Sequence, residues 1–192
     1  TVDDKGVVTA TGIGTTYIKV YNKQNDCYAA VKVQVNGEQG RTAAKIVGGG
    51  NHFVALKANG EVWTWGYNGY GQLGIGNTET KNRPTKTNIY NSKDETQSTY
   101  AIDVAAGYSH TLVLKSDGTV WAAGYNEYGQ LGDSSTTNTS EFVQVTGIPE
   151  KVIAITAGGH SSYALTESGK VYGWGSNGSG ELGQNNTNIY KR

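Results

Sequence analysis

One unit is written three times along this chain of 192 residues, and that repeat constrains the fold more than any other feature. It opens as Gly49-Gly50-Asn51-His52-Phe53-Val54-Ala55-Leu56. It returns as Gly107-Tyr108-Ser109-His110-Thr111-Leu112-Val113-Leu114 and as Gly158-Gly159-His160-Ser161-Ser162-Tyr163-Ala164-Leu165. A turn glycine (Gly60, Gly118, Gly169) follows each opening glycine by 11 residues. Val62-Trp63, Val120-Trp121 and Val171-Tyr172 come next, and the copies close on Gly71-Gln72-Leu73-Gly74, Gly129-Gln130-Leu131-Gly132 and Gly180-Glu181-Leu182-Gly183. The period is 58 residues from Gly49 to Gly107 and 51 from Gly107 to Gly158. The longer spacing falls in a polar stretch through Asn91-Ser92-Lys93-Asp94-Glu95, which reads as a loop insertion.

Within each copy the residues predict a β-hairpin. The runs from His52 to Lys57 and from Glu61 to Trp65 flank Asn59-Gly60, a pair that accepts the positive φ of a tight turn. Asp117-Gly118 and Ser168-Gly169 hold the same place. Phe53 and Ala55 point to one face while Val54 and Leu56 point to the other, so the sheet is apolar on both sides and requires cover on both. Ile46-Val47, Ile102-Asp103-Val104 and Val152-Ile153-Ala154-Ile155 add a strand before each opening glycine, and Phe142-Val143-Gln144-Val145 supplies another. Units of roughly 50 residues with four short strands are those of a β-propeller. The fold class is therefore all-β, with about three four-stranded blades.

Residues 1–35 follow a different pattern. Val31, Val33 and Val35 alternate with Lys32 and Gln34, and Ile18 and Val20 alternate with Tyr17, Lys19 and Tyr21, as in half-buried antiparallel strands. Cys27 shares the parity of Ala29 and Val31 and reads as a small buried hydrophobe. Residues 36–42 form a polar linker, and the repeats occupy 43–192, at about 43–100, 101–151 and 152–192.

The pattern Gly-x-x-His, Asn/Asp-Gly-x-Val-Trp, Trp-Gly-x-Asn-x-x-Gly-Gln-Leu-Gly resembles the regulator of chromosome condensation repeat family, whose members form β-propellers. The third copy departs from it with Ser161 where His52 and His110 stand, and Ala123 replaces the tryptophan of Trp65 and Trp174. The run from Val2 to Ile18 is similar to the later half of a bacterial immunoglobulin-like domain of group 2, a module of surface and secreted proteins. The N-terminal part is thus expected to be a partial immunoglobulin-like β-sandwich. Because Arg192 falls where the last strand of the third unit would begin, the chain reads as an excerpt of a longer protein, its ring completed by further sequence or by association of copies.

Chemistry-bearing patterns are sparse. The Gly-x-Gly-x-x-Gly matches at Gly69 and Gly178 lead into polar loops rather than the helix a dinucleotide site requires, and tight packing between blades explains them better. His52 and His110 sit at one register of separate blades, which is not the convergent set that zinc requires. No Gly-x-Ser-x-Gly, Cys-x-x-Cys or His-Glu-x-x-His occurs, so no catalytic, cofactor-binding or metal-binding residue is assigned. Sixteen Lys+Arg balance sixteen Asp+Glu, which removes the electrostatic case for nucleic acid, and no apolar run is long enough for a membrane helix. Aromatics are the one functional signal. Tyr67 and Tyr125 stand beside Asn68 and Asn126, and these four residues form the candidate binding surface for a protein or glycan. Tyr70 and Tyr128, three residues on, are read as packing between blades.

The expected function is a non-enzymatic, secreted or cell-surface bacterial protein that uses its propeller as a binding or adhesion platform on an immunoglobulin-like stalk. The family resemblance also implies alternatives: an inhibitor of a partner enzyme such as a β-lactamase, or an exchange factor for a small GTPase. Open sheet edges suggest a third, a self-associating subunit of a fibre or surface layer.

Overall fold

The structure, a computed structural model, describes residues 14–22, 27–35, 42–89 and 99–188, the first two of these segments by their backbone. The chain divides into two compact units, Thr1–Gln39 and Gly40–Arg192. In the first, β1 (Gly14–Asn22) and β2 (Cys27–Val35) form an antiparallel pair that sets Ile18 opposite Val31 and Val20 opposite Ala29. The alternating runs do become strands. The rest of the expected sandwich, the burial of Cys27, the linker at 36–41 and the inserted loop around Asn91 lie outside the described residues.

The second unit holds three antiparallel sheets, one per repeat. The first blade is β3 (Lys45–Gly48), β4 (His52–Leu56), β5 (Val62–Gly66) and β6 (Lys81–Lys86), hydrogen-bonded in that order. The second is β7 (Ala101–Ala106), β8 (His110–Lys115), β9 (Val120–Gly124) and β10 (Thr139–Gln144). The third is β11 (Val152–Gly158), β12 (Ser161–Thr166) and β13 (Val171–Gly175) among the described residues. The turn between second and third strands is tight because Gly60, Gly118 and Gly169 adopt φ of 86°, 85° and 83°, the left-handed region that glycine enters without a Cβ clash.

Neighbouring blades pack face to face. From the first blade, Val54, Leu56 and Val62 meet Val104 and Val113 of the second. On its other face the second blade sets Leu112, Leu114, Val120 and Ala122 against Ile155, Ala164 and Trp174 of the third. Each such side chain taken fully out of water contributes about 1.5–3 kcal/mol. The fully buried Trp174 also donates its indole N–H to the Gln130 carbonyl at 3.0 Å. Apolar residues on both faces do not lead to equal cover in every blade. Strand β8, between two blades, is buried along both faces, whereas β4 buries His52, Val54 and Leu56 and leaves Phe53 47% exposed.

Candidate functional site

The strand order gives the blades two distinct ends. Gly48, Phe53, His52 and Gly66 lie together in the register of the first blade, so loops 49–51 and 67–80 leave from the same end. Their counterparts, 107–109 and 125–138, then 159–160 and 176–188, do the same. Hairpin turns around Gly60, Gly118 and Gly169 occupy the opposite end.

At the loop end a buried asparagine organises each long loop. Asn68 accepts the Leu73 N–H at 2.9 Å through Oδ1, while its Nδ2 donates to the carbonyls of Asn77 (2.8 Å) and Glu79 (3.0 Å). Asn126 accepts from Leu131 N–H at 2.9 Å and donates to Asp133 Oδ1, Ser135 Oγ and the Thr137 carbonyl at 3.1–3.2 Å. Asn177 accepts from Leu182 N–H and donates to the carbonyls of Asn186 and Asn188, all at 2.9 Å. All three are fully buried. This corrects the sequence expectation for Asn68 and Asn126: both amide ends are spent within the loop, and neither side chain reaches the surface. The signal that separates them from the tyrosines is present in the third copy, which keeps Asn177 but has Ser176 in the place of Tyr67 and Tyr125.

The histidines join the blades. His52 Nε2 lies 2.9 Å from Thr111 Oγ1, and that hydroxyl donates to the Gln72 carbonyl at 2.7 Å. His110 Nε2 lies 2.9 Å from Ser162 Oγ, which donates to the Gln130 carbonyl at 2.7 Å. Since each hydroxyl proton is committed to a carbonyl, the hydroxyl accepts from the imidazole, and both histidines carry their proton on Nε2. Burial pushes them down, His52 to about 4 and His110 to about 3. The glycine of Gly-x-x-His makes room for the ring. A Cβ on Gly49 would lie 2.5 Å from His52 Nδ1, and one on Gly107 2.5 Å from His110 Nδ1. At Gly158, whose register partner is Ser161, a Cβ would meet nothing within 4 Å.

The Gly-x-Gly-x-x-Gly loop is likewise occupied by packing. A Cβ at Gly71 would stand 2.5 Å from the Ser140 Cα in the outer strand of the next blade. No helix opens there.

Above the clamped loops lies an aromatic ledge that crosses all three blades. Tyr67 meets Tyr70 edge-on at 6.1 Å between ring centroids, and Tyr70 meets Tyr125 of the second blade at 4.9 Å. Tyr125 meets Tyr128 at 6.2 Å. His160 of the third blade lies 5.3 Å from both Tyr125 and Tyr128, and 5.8 Å from Tyr108. The structure therefore brings Tyr67 and Tyr125 together, and Tyr70 and Tyr128 serve two ends: they bridge blades and remain 39% and 37% exposed. Tyr108 and His160 were invisible as members because their loops are short and their register differs between copies. Burial of the Tyr125 phenol among these rings, followed by its hydrogen bond to Glu127, pushes it up to about 12. Among the described residues no group of three or more His, Cys, Asp or Glu could hold a metal ion, and no helix is long and apolar enough to cross a membrane.

Blades of this sequence pattern, tied by a buried imidazole and a clamped asparagine loop, define a repeat propeller. The chain belongs to the family of the Regulator of chromosome condensation (RCC1) repeat, whose models match residues 59–114 and 117–165, and residues 43–72, 101–130 and 152–181. It is 34% identical over 144 residues to the dog X-linked retinitis pigmentosa GTPase regulator, covering 73% of this chain and 14% of that one. It is 29% identical over 155 residues to the Arabidopsis thaliana ultraviolet-B receptor UVR8, covering 80% of this chain and 34% of the receptor. The chain thus spans 14% and 34% of the length of these two relatives. In structure it resembles yeast RCC1 (Prp20), solved bound to Kap60, with a TM-score of 0.67, 21% identity and coverage of 77% of this chain and 35% of that one. Human WBSCR16 gives 0.62, with 23% identity over 83% of this chain and 39% of that one.

Proposed function

We propose that this propeller is a non-catalytic platform for protein binding, and that the aromatic ledge at its loop end is the docking surface. The observation that carries the reading is the continuity of six rings over three blades, with Tyr67, Tyr70, Tyr108 and Tyr128 each more than a third exposed. Tyrosines supply a large apolar area with a polar tip and few rotatable bonds, which suits a protein interface. Yeast RCC1, which shares the fold, was solved bound to a protein partner, in keeping with such a role. The run from Val2 to Ile18 and the β1–β2 pair support a second part of the proposal, that an immunoglobulin-like stalk carries the platform on a bacterial surface.

A photo-crosslinking residue placed at Tyr67 in the full-length protein, in its native cells, tests the platform. A discrete crosslinked partner that disappears in a Tyr70→Ala/Tyr125→Ala variant is the expected result. Crosslinks unchanged by that variant would remove the ledge from the interface.

A further inference from the structure

The geometry points to a cationic peptide segment, rich in arginine or lysine, as the ligand of the Tyr70–Tyr125–Tyr128 part of the ledge. This inference rests on the platform reading and specifies the chemistry of its partner. The long loops 66–79, 124–138 and 175–188 carry Glu79, Glu127, Asp133 and Glu181 and contain no lysine or arginine. The shorter loops 49–51, 107–109 and 159–160 add only the imidazole of His160. Lys81, which opens β6 at this end, is held by Glu79 at 2.8 Å. Lysines gather at the other end: Lys57, Lys115 and Lys170 border the hairpin turns, and Lys45, Lys86 and Lys151 lie at the matching strand ends. At that end lysines and carboxylates are mixed, with Lys45, Lys57, Lys86 and Lys170 paired to Asp103, Glu61 and Glu150, so the end whose described loops carry carboxylates and no lysine or arginine is the one that carries the aromatics.

The rings themselves favour the same ligand. A tyrosine face carries negative quadrupole density and attracts a cation, arginine above all, within about 6 Å of its centroid. Glu127, two residues on from Tyr125, is exposed and acts electrostatically on its phenol, so a carboxylate charge borders the ring that touches both neighbours. The cluster already accommodates a basic side chain of the protein itself, since the His160 ring packs among Tyr108, Tyr125 and Tyr128. A guanidinium stacked on Tyr70 and Tyr125 with Glu127 beside it would use both forces together. In the described loops of this end an acidic partner would meet Glu79, Glu127, Asp133 and Glu181, and Lys81 at the start of β6 is paired with Glu79.

Titration of the chain with hexa-arginine, followed by the NMR signals of the tyrosine ring protons, tests this directly. The expected result is selective shifts of Tyr70, Tyr125 and Tyr128, with hexaglutamate and chitohexaose producing none. Tyr125→Ala should weaken hexa-arginine binding about tenfold, and Tyr125→Leu, which keeps the apolar bulk and lacks the π face, nearly as much. Glu127→Gln should weaken it about threefold to fivefold, while Lys170→Ala at the far end leaves it unchanged. Absence of ring shifts with hexa-arginine, or binding indifferent to Tyr125→Leu, would overturn the cationic assignment. If the crosslinked partner is nonetheless lost in the Tyr70→Ala/Tyr125→Ala variant, the platform stands and only its ligand chemistry is wrong. If neither probe responds to these tyrosines, both readings fall.

Discussion

At the residue scale, His52 and His110 show how a repeated residue acquires a role that its local sequence does not display. Each imidazole donates from Nε2 across a blade boundary to a hydroxyl one position after the histidine register of the next blade, Thr111 or Ser162. Their Nδ1 atoms have no hydrogen-bond partner, and both rings are fully buried. A proton added there would place an unpaired charge in the interior, which is why burial lowers both from the usual 6.5, to about 4 and about 3. Above pH 6.5 both states are neutral at these sites; below it the unfolded chain binds protons that the folded chain refuses, so stability falls with falling pH until the folded values are reached. Between pH 6.5 and 5 the slope should approach about 1.4 kcal/mol per pH unit for each histidine. Urea unfolding at successive pH values checks it, and His110→Gln should remove about half of the slope. A structural role was legible in the sequence from the shared register of His52 and His110. The hydroxyl partner was not, because it lies in another copy.

At the scale of elements, the strands and their turns follow from local rules, and the long loops do not. Alternation and Asn59-Gly60 were enough to place β4 and β5, since a period of two and a positive-φ turn are both local. The outer strand β6, with Lys81, Asn82, Arg83 and Pro84, carries no apolar signal, and it is held by pairing to β5. Asn68 and Asn126 were misplaced for a similar reason. An asparagine beside a tyrosine reads as a polar rim, and only the return of the loop over it reveals that both ends of its amide are directed inward. Asn126→Asp offers a sharp test. The change is nearly isosteric but replaces the donating Nδ2 with an oxygen that faces Asp133 Oδ1 and the Thr137 carbonyl. It should cost about 1–3 kcal/mol in urea unfolding, and amide exchange should rise first in residues 133–138. Equal stability of the variant and the parent chain would mean that the clamp does not hold the loop.

At the scale of the whole repeat unit, the decisive feature is that the clasps stop at both outer blades. The first blade has Phe53 where Thr111 and Ser162 supply the accepting hydroxyl, and the third has Ser161 where the histidine would be. What these blades turn outward is apolar: Ile46 is 64% and Phe53 47% exposed on one, and Val171 is 68% exposed on the other. Phe53 is stacked on Trp65 at 5.6 Å, which widens the first of these surfaces into a flat aromatic one. Two unlike apolar faces on one chain favour head-to-tail contact rather than a symmetric dimer, because each face finds its complement on a different copy. The 20.4 kDa chain should therefore gain mass with concentration in light scattering coupled to gel filtration. Added sodium chloride should strengthen rather than weaken the effect, since apolar contact is not screened as ion pairs are. Phe53→Glu should return the chain to its monomer mass, and Val171→Glu should do so independently, as either end is sufficient to interrupt the contact. A constant monomer mass across the concentration range would show that these faces are too small or too polar at their margins to hold a second copy. Association abolished by salt would instead assign it to ion pairs between copies and not to these apolar faces.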